Sequence, residues 1–120
     1  MNYMISLRIK GDPPNKQAAS YKRNVNEIRK ELLKNQSDYE IIDSPVSIEI
    51  NIYTSKTRYD REGQDNLYIG DLDNLTSGIL DELETKVFKN DSLVLELLTK
   101  KNVIESADDT YYTVQIKPLG

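Results

Sequence analysis

The sequence contains no cysteine and no histidine. Without cysteine there is neither a disulfide framework nor a thiolate zinc site, and a reducing, cytoplasmic setting is the expected one. Without histidine, mechanisms that need an imidazole base are excluded from this chain, as is His-ligated zinc or iron. No apolar run approaches membrane-spanning length and no basic-then-apolar leader opens the chain, so no membrane partner is expected. Repeats, linkers and low-complexity segments are missing too. A single phenylalanine, Phe88, is present and is expected to close the core.

What remains is a composition of 38% hydrophobic and 30% charged residues over 120 positions, which suits one soluble globular domain spanning residues 1–120. The net charge of −4 argues mildly against nucleic acid. Its distribution softens that argument. Residues 1–61 carry eleven Lys/Arg against eight Asp/Glu, whereas residues 62–120 carry five against twelve. An acidic half suited to cations and a basic half suited to phosphate is one reading; simple solubilisation is the other.

Periodicity orders the elements. Tyr3, Ile5, Leu7 and Ile9 alternate with polar residues, as in a half-buried strand, until Gly11-Asp12-Pro13-Pro14 stops the ladder. A helix is expected over Lys16–Asn35, with Ala18, Tyr21, Val25, Ile28 and Leu32 on one stripe. Lys16, Arg23, Lys30 and Lys34 fall opposite, as a solvated face or as a stripe for a nucleic-acid backbone. Val46, Ile48, Ile50 and Ile52 mark a second strand, and Thr54–Ile69 is a long connection or an extension of that strand into a hairpin arm. A second helix is expected from Asp73 to Thr85, a strand over Ser92–Val103, and a last strand through Tyr112, Val114 and Ile116. The order β-α-β-α-β-β predicts an α+β domain in which two helices cover a four-stranded sheet as two layers.

The second helix carries the chemistry. It opens with Asp71, Asp73 and Asn74 and is followed by Asn90 and Asp91. Paired Asp at a helix start is also what capping and the helix dipole favour, and Asn90-Asp91 suits a turn. The alternative is metal-assisted phosphate chemistry. A phosphodiester repels nucleophiles by its own charge, and Mg²⁺ held by carboxylates counters that repulsion and activates water without histidine. That geometry requires a strand to fold back and bring the two ends of the helix to one ion. Gly78, mid-helix, costs about 1 kcal/mol relative to Ala, and is either a tolerated surface glycine or a point where another chain or DNA comes close. Tyr53, Tyr59 and Tyr68 are available for stacking on exposed bases.

The motif Asp71-Leu72-Asp73-Asn74-Leu75 opens the helix, Leu80-Asp81-Glu82-Leu83 continues it, and Asn90-Asp91 follows a short loop containing Thr85-Lys86. In this it resembles the RusA-type Holliday junction resolvases, and Pro13-Pro14, the basic first helix and Pro45-Val46 extend the resemblance over nearly the whole chain. The resemblance implies a small homodimeric endonuclease acting on four-way or other branched DNA in recombination and repair. It implies Mg²⁺, with Mn²⁺ able to substitute, bound by the catalytic residues Asp71, Asp73 and Asp91. Asn74, Asp81 and Asn90 would support them. DNA contacts would come from Lys16, Arg23, Lys30, Lys56, Arg58, Arg61 and Lys86. Symmetric nicking of two strands needs two active sites, which a twofold dimer supplies. Three positions depart from the family pattern: Ser77 stands where a lysine is usual, Asn90 replaces an acid, and Tyr68-Ile69-Gly70 replaces basic residues. A catalytically weak or inactive junction-binding protein on the same fold is therefore the alternative.

Overall fold

The computed structural model describes residues 4–35, 40–55, 71–105 and 110–119. Its elements run β1 (Ile5–Lys10), α1 (Tyr21–Asn35), β2 (Val46–Ser55), α2 (Leu72–Leu83), β3 (Val94–Ile104) and β4 (Tyr111–Pro118), with a short 3-10 turn at Asp91–Leu93. The four strands form one mixed sheet in the order β1-β4-β2-β3. β4 pairs antiparallel with both β1 and β2, and β2 pairs parallel with β3. The fold is α+β, as the element order predicts.

Alternation decides which face of the sheet is covered. Ile5, Leu7 and Ile9 of β1, Val46, Ile48, Ile50 and Ile52 of β2, and Tyr112, Val114 and Ile116 of β4 all turn inward. Val25, Ile28 and Leu32 of α1 and Leu75, Ile79 and Leu83 of α2 meet them, and Phe88 closes the core, fully buried. Each such side chain contributes about 1.5–3 kcal/mol by leaving water. The opposite sheet face is polar and only partly covered.

Helix α1 begins at Tyr21, not at Lys16. The Asn15 side chain accepts the Gln17 N–H (3.1 Å), and successive turns close from Ala18 N–H to the Asn15 carbonyl and from Tyr21 N–H to the Ala18 carbonyl. Helical bonding starts only where Asn24 N–H reaches the Ser20 carbonyl (3.0 Å), so Ser20 stands at the cap. Local side-chain bonds thus outcompete an apolar periodicity that continues by coincidence through Ala18. β2 runs two residues into the expected connection, since Thr54 and Ser55 are strand residues and buried. α2 stops at Leu83 because Thr85 takes a left-handed φ of 70°. β3 starts at Val94, after Asn90 caps the 3-10 turn with its side chain on Ser92 N–H (2.9 Å).

Gly78 has a definite reason. A Cβ there would lie 2.0 Å from the Pro14 carbonyl oxygen. The Pro13-Pro14 segment is buried against α2, so the close approach is made by this chain's own backbone. Among the described residues, no helix is long and apolar enough to cross a membrane.

Candidate active site

Helix α2 sets the positions of the acidic residues. At its start Asp71 is extended (φ −76°, ψ 153°), and its carbonyl accepts the first helical N–H, from Leu75 (3.0 Å). Its side chain makes no capping bond. Capping therefore does not account for this carboxylate. Asp73 lies in the first turn, Asn74 follows half-buried, and both Asp71 and Asp73 are exposed. Ser77, one turn beyond Asp73, is exposed as well.

The second turn of α2 is tied to the middle of β3. The Thr76 hydroxyl donates to the Leu72 carbonyl (2.6 Å) and shares a hydrogen bond with the Thr99 hydroxyl (2.9 Å). From that point β3 runs back antiparallel to the helix. Its start, with Asp91 just before it, lies at the other end of α2, where the Glu84 carboxylate accepts the Asp91 N–H (2.7 Å). Asn90 spends its side-chain oxygen on Ser92, so it serves the turn. Glu84 lies in no recognisable motif. It reaches Asp91 only because the chain reverses at Thr85, which pattern reading alone does not reveal.

These placements separate the acids. Twelve residues of α2 at 1.5 Å each span about 18 Å. Carboxylate oxygens on one Mg²⁺ lie no more than about 4 Å apart. One protomer thus brings Asp71 and Asp73 to one end of the helix and Asp91 with Glu84 to the other. Among the described residues, no group of three or more acidic side chains is placed to hold a metal ion within a single chain. The strand does fold back, but it returns its start to the helix end rather than to the helix start.

The remaining site residues have identifiable partners. Asp81 pairs with Lys16 across the surface (3.5 Å). Glu82, buried beneath α1, takes Arg29 at 2.7 Å and Lys86 at 3.3 Å. Burial alone would raise the Glu82 pKa; the Arg29 hydrogen bond and the Lys86 charge outweigh it and hold the carboxyl below its ordinary range. Burial, with nearby carboxylates, pushes the Tyr112 phenol far up, and its hydroxyl has no partner among the described residues. On α1, Lys30 pairs with Glu27 (3.4 Å) and Lys34 with Glu31 (3.7 Å), while Arg23 is exposed. Lys56, Arg58 and Arg61, with Tyr59 and Tyr68, lie outside the described residues.

No curated protein matches the chain. The family model described as Endodeoxyribonuclease RusA matches residues 11–116, from the turn after β1 to Ile116 in β4, with α2 and both of its ends inside the match. The chain belongs to the RusA endodeoxyribonuclease family.

Proposed function

We propose that this protein is a divalent-metal-dependent endonuclease for Holliday junctions and related branched DNA, working as a homodimer of one domain, residues 1–120. Each active site takes Asp71 and Asp73 from one protomer and Asp91 from the partner subunit. The observation that carries this reading is the separation of those acids at opposite ends of α2 in a chain of this nuclease family.

The β3 edge supports the dimer. β3 lies at the end of the sheet order, is eleven residues long, and has no buried residue. Leu95 is 65% exposed, Leu97 45% and Leu98 46%. A long apolar edge strand of this kind invites pairing with another strand. In an antiparallel, twofold pairing of β3 with its copy, the start of each strand lies beside the end of the other. The start brings Asp91; the end lies level with the first turn of α2, where Asp71 and Asp73 sit. Both halves of two sites are then joined by one symmetric contact, as two-strand nicking requires.

The donor set fits Mg²⁺ or Mn²⁺, because all three groups are hard carboxylate oxygens. Such an ion, when bound, neutralises phosphoryl charge and lowers the pKa of a water. The residues of the chain do the rest. Asp71, Asp73 and Asp91 gather the negative charge that selects a cation. Glu84, through the Asp91 N–H, fixes the turn that presents Asp91, and Thr76–Thr99 keeps α2 in register with the strand that forms the seam. Arg23, together with the basic residues of 56–61, offers contacts to the DNA backbone, whereas Lys16, Lys30 and Lys86 must first leave a carboxylate. A junction-binding protein of weak or no cleavage is the second reading, favoured by exposed, uncharged Ser77 where the family carries a lysine.

A nicking assay on a synthetic four-way junction with Mg²⁺, beside a shift assay without metal, tests the reading. Symmetric nicking supports it; binding without nicking supports the second reading; neither activity sinks both.

A further inference from the structure

The sheet face away from the helices is not uniformly polar. Strand register places Lys10, Tyr111, Tyr53 and Asn102 in one row across it, and Arg8, Thr113, Asn51 and Lys100 in the next. These two rows contain three cations and no acid, in a chain whose net charge is −4. The acids of this face, Glu49 and Glu96, lie in the rows beyond.

Within the basic rows the aromatic rings are ordered. Tyr53 and Tyr111 stack at 4.5 Å between centroids, 18° from parallel. The Arg8 guanidinium lies 3.9 Å from the Tyr111 ring centre. Because β4 lies between β1 and β2, Arg8 and Tyr53 approach Tyr111 from opposite sides. Among the described residues, the second face of Tyr53 has no stacking partner. Glu27 and Glu31, which line a cavity with Arg8, Lys10 and Tyr111, are each paired with a lysine of their own helix.

The position matters as much as the chemistry. The row of Tyr53 lies at the end of β2, and the Thr76–Thr99 bond puts the α2 start near that same end of the sheet, on its opposite face. Aromatic faces beside cations bind unpaired bases with little regard to sequence, by stacking and phosphate contact.

We propose that the Arg8–Tyr111–Tyr53 stack, with Lys10 and Lys100, is a binding platform for unpaired nucleotides at the branch point of DNA. Tyr53 stacks on a base, and the three cations hold its flanking phosphates. The inference rests on the reading that the substrate is branched DNA. It adds a way for the protein to distinguish a branch from a linear duplex, whose bases are all stacked.

The test uses the full chain without metal. Binding is measured by anisotropy on a four-way junction carrying 2-aminopurine at the branch and on a linear duplex of the same sequence. Wild type is expected to prefer the junction and to quench the 2-aminopurine. Tyr53→Ile, which suits a strand but removes the ring, is expected to weaken junction binding about tenfold and abolish quenching, with duplex binding unchanged. Tyr53→Phe is expected to match wild type. Arg8→Gln is expected to lower the slope of log affinity against log salt by about one. A folded Tyr53→Ile that binds and quenches like wild type overturns the platform, as does equal loss on both DNAs or an unchanged salt slope in Arg8→Gln. If wild type ignores the junction altogether, the functional reading fails with it; if wild type binds and the variants are silent, the platform fails alone.

Discussion

The two ends of α2 carry similar residues in dissimilar settings. At the start, Asp71 and Asp73 are exposed, and the Asp71 side chain is not used as a cap. At the far end, Asp91 is held by its backbone on Glu84, and Asn90 is consumed by the turn. One end exposes two carboxylates, whereas the other presents a single carboxylate from a braced turn. Between them stands a helix of twelve residues whose length no side chain spans. The difference teaches that an acidic motif is a list of donors, and that strand direction decides which of them meet.

The largest effects are expected from removing charge at either end. Asp71→Asn, Asp73→Asn and Asp91→Asn should each lower junction cleavage at least about 100-fold while binding is kept or tightened, in side-by-side nicking and shift assays. If only the start of α2 mattered, Asp91→Asn would retain activity and the comparison would break. A second way to break it is to keep all the acids and remove the seam. Leu97→Lys on the β3 edge should leave the fold intact, shift the protein to monomer in analytical ultracentrifugation, and reduce Mg²⁺-dependent cleavage by about tenfold or more. A monomeric variant with full activity would show that one chain is enough.

The middle of α2 keeps the two ends at their spacing. Gly78→Ala improves helix propensity, yet its methyl group would meet the Pro14 carbonyl. A loss of about 2 kcal/mol is expected in denaturant melts, against the gain of about 1 kcal/mol that propensity alone favours. Ser77→Lys sharpens the contrast at the start of the helix. It places a cation one turn from Asp73 on an exposed position and should raise cleavage about tenfold. The smallest effect is expected at Glu82, near the far end. Its folded pKa is depressed, so its contribution is present above the ordinary value of 4.5 and is lost as pH falls below that value. Wild type should therefore lose more stability on acidification than Glu82→Gln, by about 1 kcal/mol in urea midpoints.

Much of this was legible in the sequence. β1, β2 and β4 bury one face, and period two in Ile5–Ile9, Val46–Ile52 and Tyr112–Ile116 records that directly. The acidic motif names its residues because short carboxylate spacings are local. What was not legible depends on partners distant in sequence. The leucines of β3 mark a strand, but only the sheet order shows that it is an edge. The cost of Gly78 was visible, whereas Pro14 as its reason was not. The start of α1 was misplaced because Asn15 and Ser20 redirect the backbone through bonds that periodicity does not weigh. The separation of Asp71 from Asp91 follows from the twelve residues of α2 and from the reversal at Thr85, which ties Asp91 to Glu84 at the far end of the helix.

The central claim, a site shared between protomers, is tested most directly by complementation. Asp71→Asn and Asp91→Asn are each expected to be inactive alone. Co-folded in equal amounts, half of the dimers are mixed, and each mixed dimer has one site with all its acids and one with two of them altered. The expected result is restored junction nicking at about a quarter of the wild-type sites, confined to one strand per junction. A mixture that stays inactive, with mixed dimers verified by native mass spectrometry, would contradict the shared site and return all three carboxylates to a single chain.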